Sequence, residues 1–164
     1  MDMDLPIHVI ALNGGKIVGK TRLQKTVFLI QKLLNREVFE FDYHYFGPFS
    51  EELAEFVDFA EARGRLAEEE KIGFYRMPYT VYSTDESAPK KVFNVDAAKV
   101  KAWLDKLESI DAISLELAAT RVYLAIDAGE DESNLDARLK QLKPQKATEA
   151  RLLQSRKLLE QLGL

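Results

Sequence analysis

The stretch GGKIVGKT, residues 14–21, spells the phosphate-loop pattern G-x-x-x-x-G-K-[ST], with Gly14, Gly19, Lys20 and Thr21 in its fixed positions. An apolar run, residues 7–12, precedes it and a helical pattern follows. As a phosphate loop it would imply a parallel α/β sheet. As a turn between two helices it would imply a mostly helical fold. A phosphate loop wraps its ligand with consecutive backbone N–H groups, which favours small residues. Lys16, Ile17 and Val18 are bulky, and two of them are β-branched and stiff. The next extended stretch, residues 39–46, alternates apolar and polar, unlike a buried parallel strand. A magnesium-holding aspartate would be needed after an apolar run. VYLAID offers Asp127, but inside a pattern that reads as one long buried helix. The turn is therefore the better reading: Gly14-Gly15 end one helix, and Gly19-Lys20-Thr21 start the next with Thr21 as its N-cap. A small nucleotide-binding enzyme acting through residues 14–21 stays as the weaker alternative.

From Leu23 the chain repeats Leu23, Val27, Ile30 and Leu34, the apolar stripe of an amphipathic helix. Arg22, Lys25, Lys32 and Arg36 fall within a quarter of the helix circumference, away from that stripe. They are expected to face solvent together, or an acidic partner. FEFDYHYF, residues 39–46, predicts a half-buried strand with Phe39, Phe41, Tyr43 and Tyr45 on one face, stopped by Gly47-Pro48. Ser50 can cap a helix with Glu51 and Glu52 in its first turn, a buried face of Leu53, Phe56, Val57 and Ala60, and Gly64 at its end.

Residues 65–94 read as extended pieces. TVYS and KKVFNV are strand-like, and IGFYRMPY is a further strand candidate. From Val95 onward the pattern is helical. Asp96 precedes a helix bearing Val100, Trp103, Leu104 and Leu107; residues 113–126 form a central buried helix whose lone charges, Glu116 and Arg121, need partners. Pro144 is expected at the start of a last helix carrying Leu152, Ser155, Leu159 and Leu162 on one face.

With 164 residues the chain suits one domain, or one domain with a helical extension. It has no cysteine, which excludes disulfides and thiolate metal sites, and its two histidines, His8 and His44, lie far apart. No metal and no cofactor are expected. No apolar run approaches a bilayer-spanning length, and no basic-then-apolar leader is present, which reads as cytoplasmic. The net charge of −4 conceals two opposed blocks: six bases and no acid in residues 5–36, then eleven acids against Arg63 and Arg65 in residues 37–70. Adjacent blocks of opposite sign can focus a field.

GKTRLQKTVFLIQ, followed by FDYHYFGPFSEEL, a glycine-ended helix and a strand pair, resembles the YwgA-like uncharacterised prokaryotic family. It is more distantly similar to the Panacea-type antitoxin domain. Arg22, Gln24, Lys25, Tyr45, Gly47, Pro48, Phe49 and Ser50 stand where that family's pattern puts them, with Phe46 as an insertion. LELAATRVYL and Lys143-Pro144 also match. The resemblance implies an α+β, mostly helical fold: a winged-helix-like core with a small antiparallel wing over residues 1–94, and a helical extension over 95–164 packed on it. In a winged helix the helix before the wing enters the major groove. Here that helix, residues 50–63, is acidic. A non-enzymatic interaction or regulatory protein is therefore expected, antitoxin-like or a complex subunit, with a protein partner or self-association. The alternative is a nucleic-acid-binding regulator using the basic helix, residues 22–36. No catalytic constellation is found.

Overall fold

A computed structural model describes residues 2–164. Its architecture is α+β, with seven α-helices and three small antiparallel sheets among the described residues. Helix α1, Leu5–Leu12, carries Pro6 in its first turn, where the missing N–H costs nothing. Gly14 and Gly15 follow at positive φ and turn the chain.

Residues 14–21 then depart from the expected plain turn. Lys16–Val18 form a strand, β1, and α2, Lys20–Leu33, starts from Gly19 rather than Thr21 as its N-cap. Only Ile17 of β1 is buried, opposite Tyr82, so the strand has almost no local signature. The backbone N–H of Gly15 goes to the Ile10 carbonyl and that of Gly19 to Thr80, 2.7 Å away. A phosphate-wrapping loop needs such donors free.

Strand β2, Asp42–His44, pairs with β3, Gly47–Phe49, as a short hairpin. This corrects the expected strand over 39–46. Phe39 and Phe41 lie outside any strand and pack edge-on against Phe56 and Phe28, while Tyr45 is 84% exposed. Gly47-Pro48 does not stop a strand but begins β3, the hairpin turning at Tyr45 and Phe46. Helix α3, Glu51–Ala62, has the expected cap: the Ser50 hydroxyl accepts the Leu53 N–H.

The largest sheet has the order β1-β5-β4, with β4, Ala67–Ile72, on one edge and β5, Pro78–Ser83, in the centre. IGFYRMPY is therefore not one strand; it runs from the last residue of β4 through a tight turn at Phe74–Arg76 into the first two residues of β5. A minimal hairpin, β6 (Lys91–Val92) and β7 (Val95–Asp96), leads into α4, Ala97–Glu108.

Helix α5, Ala112–Val122, is buried on nearly every side and continues as a π turn over Tyr123–Asp127. Its lone charges have partners: Arg121 meets Asp136, and Glu116 meets Lys143 and Lys146. Pro144 does not open the last helix. It follows α6, Leu135–Leu142, and α7, Glu149–Leu162, starts later under a Thr148 cap. Leu152, Ser155, Leu159 and Leu162 line the buried face of α7 as expected. One apolar cluster runs from Leu5 through α2, α3, α4 and α5 to Leu162, crossing the 94/95 boundary. A smaller one gathers Leu117, Leu124, Leu135, Leu139 and Leu152.

Candidate interaction site

The four cations of α2 and its exit do not form a free stripe. Arg22 donates from both guanidinium ends to the Leu107 and Ile110 carbonyls at the C-terminal end of α4, at 2.9 and 2.8 Å. A cation there meets the negative end of the helix dipole. Lys25 is 1% exposed and donates to the Pro48 carbonyl at 2.6 Å. Lys32 pairs with Asp127 at 2.6 Å. Arg36 lies beyond the last turn of α2, stacked on the Phe93 ring. The expected patch is thus dispersed, and not onto the acidic α3. A lysine stem of four methylenes can run through a core, so angular spacing alone does not decide where its ammonium lies.

These side chains hold irregular backbone instead. The Gln24 amide exchanges two hydrogen bonds with Ser50, donating to its carbonyl and accepting its N–H. Gln31 does the same for Phe39. With Lys25 on Pro48, one face of α2 satisfies the polar groups of the segment that carries β2 and β3. A signal existed: Gln24 and Gln31 are seven residues apart and share a face beside the apolar stripe. Gly47 completes the arrangement. Its φ is +91°, and an added Cβ would stand 2.5 Å from the Thr120 hydroxyl oxygen on α5. Phe49 stacks on His44, with ring centroids 5.0 Å apart.

Beneath β2 and β3 lies a buried charge cluster. Glu116 takes Lys143 at 2.9 Å and Lys146 at 3.1 Å. Burial pulls the Lys25 ammonium down to about 8; Glu116 opposes the shift, while Lys143 and Lys146 add to it. Burial, with the Glu116 carboxylate behind it, pushes the Tyr43 phenol up.

The most exposed apolar surface lies elsewhere, on the β4–β5 hairpin. Ile72, Phe74, Tyr75 and Met77 are 75%, 92%, 97% and 66% exposed, and Tyr79 adds a fifth large side chain. Tyr75 and Arg76 both have φ near +60°, so the tip is a defined turn rather than an extension of the strands. Strand β4, an edge, carries Glu68, Glu69 and Glu70 towards this tip. Helix α3, immediately before it, presents Glu51, Glu52, Glu55, Asp58 and Glu61, with Phe59 exposed under Arg63. The sequence showed the acids but not the tip, because FYRM reads as strand interior when its turn is unseen.

Among the described residues there is no group of three or more His, Asp or Glu that could hold a metal, and no helix long and apolar enough to cross a membrane. No family model matches the chain. It is similar to the uncharacterised protein YwgA of Bacillus subtilis strain 168, at 31% identity over 122 residues, covering 73% of this chain and 72% of that protein. Arg22 on the end of α4, and Gln24 and Lys25 on the Pro48–Ser50 backbone, give the residues of the family-like motif their structural roles, and with that similarity the chain belongs to the YwgA-like family.

Proposed function

We propose that this protein is a non-enzymatic interaction module with a winged-helix-like core, in which the β4–β5 hairpin acts as the wing and binds a basic protein partner. An antitoxin-like neutraliser and a subunit of a complex are the two forms this takes. The observation that carries the reading is the hairpin itself: its largest apolar side chains stand in water, Tyr75 at 97% exposure, beside an acidic edge strand and an acidic helix. Aromatic side chains left outside a core that has room for many others favour an interface. The surrounding acids select the partner's sign. A strand or loop of the partner can pair along the β4 edge, with its cations on Glu68, Glu69 and Glu70 and an apolar pocket over Phe74 and Tyr75.

Nucleic-acid binding through residues 22–36 loses its support, because Arg22, Lys25 and Lys32 are each engaged inside the chain. A nucleotide site at residues 14–21 loses support likewise, with the Gly15 and Gly19 amides already donating to carbonyls.

The test is affinity purification from the native host with the full chain and with Phe74→Ser/Tyr75→Ser, at two salt concentrations. The expected result is a basic protein retained by the parent, lost with the variant, released by salt, and rebinding when purified. Salt-sensitive binding of duplex DNA by the purified parent, unaffected by the variant, would contradict the reading.

A further inference from the structure

Two lysines share the Glu116 carboxylate under the β2–β3 hairpin, and a third, Lys25, lies beside it with its ammonium on the Pro48 carbonyl. Lys143 Nζ lies 2.9 Å from Glu116 Oε2, and Lys146 Nζ lies 3.1 Å from both Glu116 oxygens. The charges that act on the buried Lys25 are those same three groups. With all four ionised, the cluster holds two positive charges in excess. Lys25 and Lys143 are buried while the Lys146 side chain is 31% exposed, so an anion from solvent can reach the cluster at Lys146 and offset the excess.

A cavity of about 480 Å³ opens on the Lys143 and Lys146 end of this cluster, lined also by Tyr43, Tyr45 and Pro144, with no Asp or Glu in its wall. The volume lies in the range of small-molecule sites. Each ammonium carries three N–H groups. Lys143 uses one on Glu116 and one on the Tyr45 carbonyl, 3.3 Å away. Lys146 uses two on Glu116. One N–H on each stays free for a ligand. Tyr45 and Phe46 stand at the exposed hairpin turn, and Lys146 lies 4.7 Å from the Phe46 ring centroid. Large rings in water beside cations suit a flat, anionic molecule.

We propose that this cavity binds a small phosphate monoester carried on a planar ring, the phosphate on Lys143 and Lys146 and the ring against Tyr43 and Tyr45. A phosphate monoester carries about −1.5 to −2 charges near neutral pH and presents three acceptor oxygens to the N–H groups of Lys143 and Lys146, against the single charge and two oxygens of a carboxylate. The site is separate from the β4–β5 hairpin and stands or falls independently of the partner proposed for it.

Titration calorimetry on the full chain at neutral pH and low salt tests this, with AMP, ribose 5-phosphate, adenosine and benzoate as probes. AMP is expected to bind saturably, ribose 5-phosphate at least about fivefold more weakly for want of the stacked ring, and adenosine and benzoate more weakly still. Lys146→Gln should weaken AMP about tenfold or more, the loss of one charge-assisted hydrogen bond. Tyr45→Ala, which alters an exposed ring and leaves the buried cluster intact, should weaken AMP but not ribose 5-phosphate. Melting curves establish that both variants are folded. Absence of saturable AMP binding overturns the proposal. So does AMP binding that both variants leave unchanged, or benzoate binding as tight as that of AMP.

Discussion

Replacing Gly47 by alanine should destabilise the protein by about 2–5 kcal/mol, from two separable causes. The first is backbone strain: φ is +91° in the native hairpin, and an L-residue there costs roughly 1–2 kcal/mol. The second is collision. The new Cβ would stand 2.5 Å from Thr120 Oγ1, well inside ordinary contact, with Lys25 Cε and Glu116 Cγ closing the other sides at 3.7 and 3.8 Å. Thr120 has nowhere to go; it is fully buried and its hydroxyl donates to the Glu116 carbonyl at 2.8 Å. Overpacking of this kind costs about 1–3 kcal/mol. Thr120→Ala removes the obstructing oxygen at a cost of about 1 kcal/mol for its hydrogen bond. In Gly47→Ala/Thr120→Ala the collision disappears and the strain remains. The double variant should therefore be more stable than the sum of the singles predicts, by roughly 1–3 kcal/mol. Urea unfolding followed by the single tryptophan, Trp103, which sits in the core, supplies the four free energies. A Gly47→Ala cost below about 0.5 kcal/mol would refute the argument, as would effects that add within about 0.5 kcal/mol.

Gln24→Leu leaves the buried Ser50 N–H without a partner, while the Ser50 carbonyl keeps the Ala54 N–H, and should cost about 1–3 kcal/mol in urea unfolding, whereas an exposed glutamine would cost almost nothing. Lys25 has a pH signature of fixed sign. Burial lowers its folded-state pKa from 10.5 to about 8, so below pH 8 both states hold the proton and the cost of the buried ammonium is fully in force. Between about 8 and 10.5 the folded state releases the proton first, and stability should rise. Relative to Lys25→Met, the parent should gain about 2–3 kcal/mol between pH 7 and pH 10, measured as the difference between two urea series. Lys25→Gln, with its shorter side chain, withdraws the donor from the buried Pro48 carbonyl and should cost about 1–3 kcal/mol in urea unfolding near neutral pH. Phe74→Ser/Tyr75→Ser, at two positions almost wholly in water, should change stability by no more than about 0.5 kcal/mol each.

Long helices were legible because their signal is repeated. Leu23, Val27, Ile30 and Leu34 give four readings of one face of α2, and all four are buried. Ser50 followed by Glu51 and Glu52 likewise announced α3 through chemistry local to its first turn. The strands were harder. β1 has three residues, one of them buried, and pairs with residues more than sixty positions away, so nothing near Ile17 marks it. The alternation over 39–46 misled because Phe39 and Phe41 owe their burial to rings on α3 and α2 rather than to a pleat. The candidate site divides in the same way. The motif from Arg22 to Ser50 was visible, but its role as a set of donors to backbone carbonyls depends on folded neighbours. The lysine–glutamate cluster joins Lys25, Glu116, Lys143 and Lys146 from distant parts of the chain, which no spacing rule brings together.

The claim that the protein works through protein contacts at the β4–β5 hairpin is tested most directly by placing a photo-crosslinking residue at position 75 of the full chain in its native host, with position 153 on α7 as an exposed control. The account predicts a discrete crosslink to a basic protein from position 75, weakened by Glu69→Lys/Glu70→Lys and absent from position 153. Crosslinks from position 75 to nucleic acid, or a protein crosslink that appears equally at position 153 and survives the charge reversal, would contradict it.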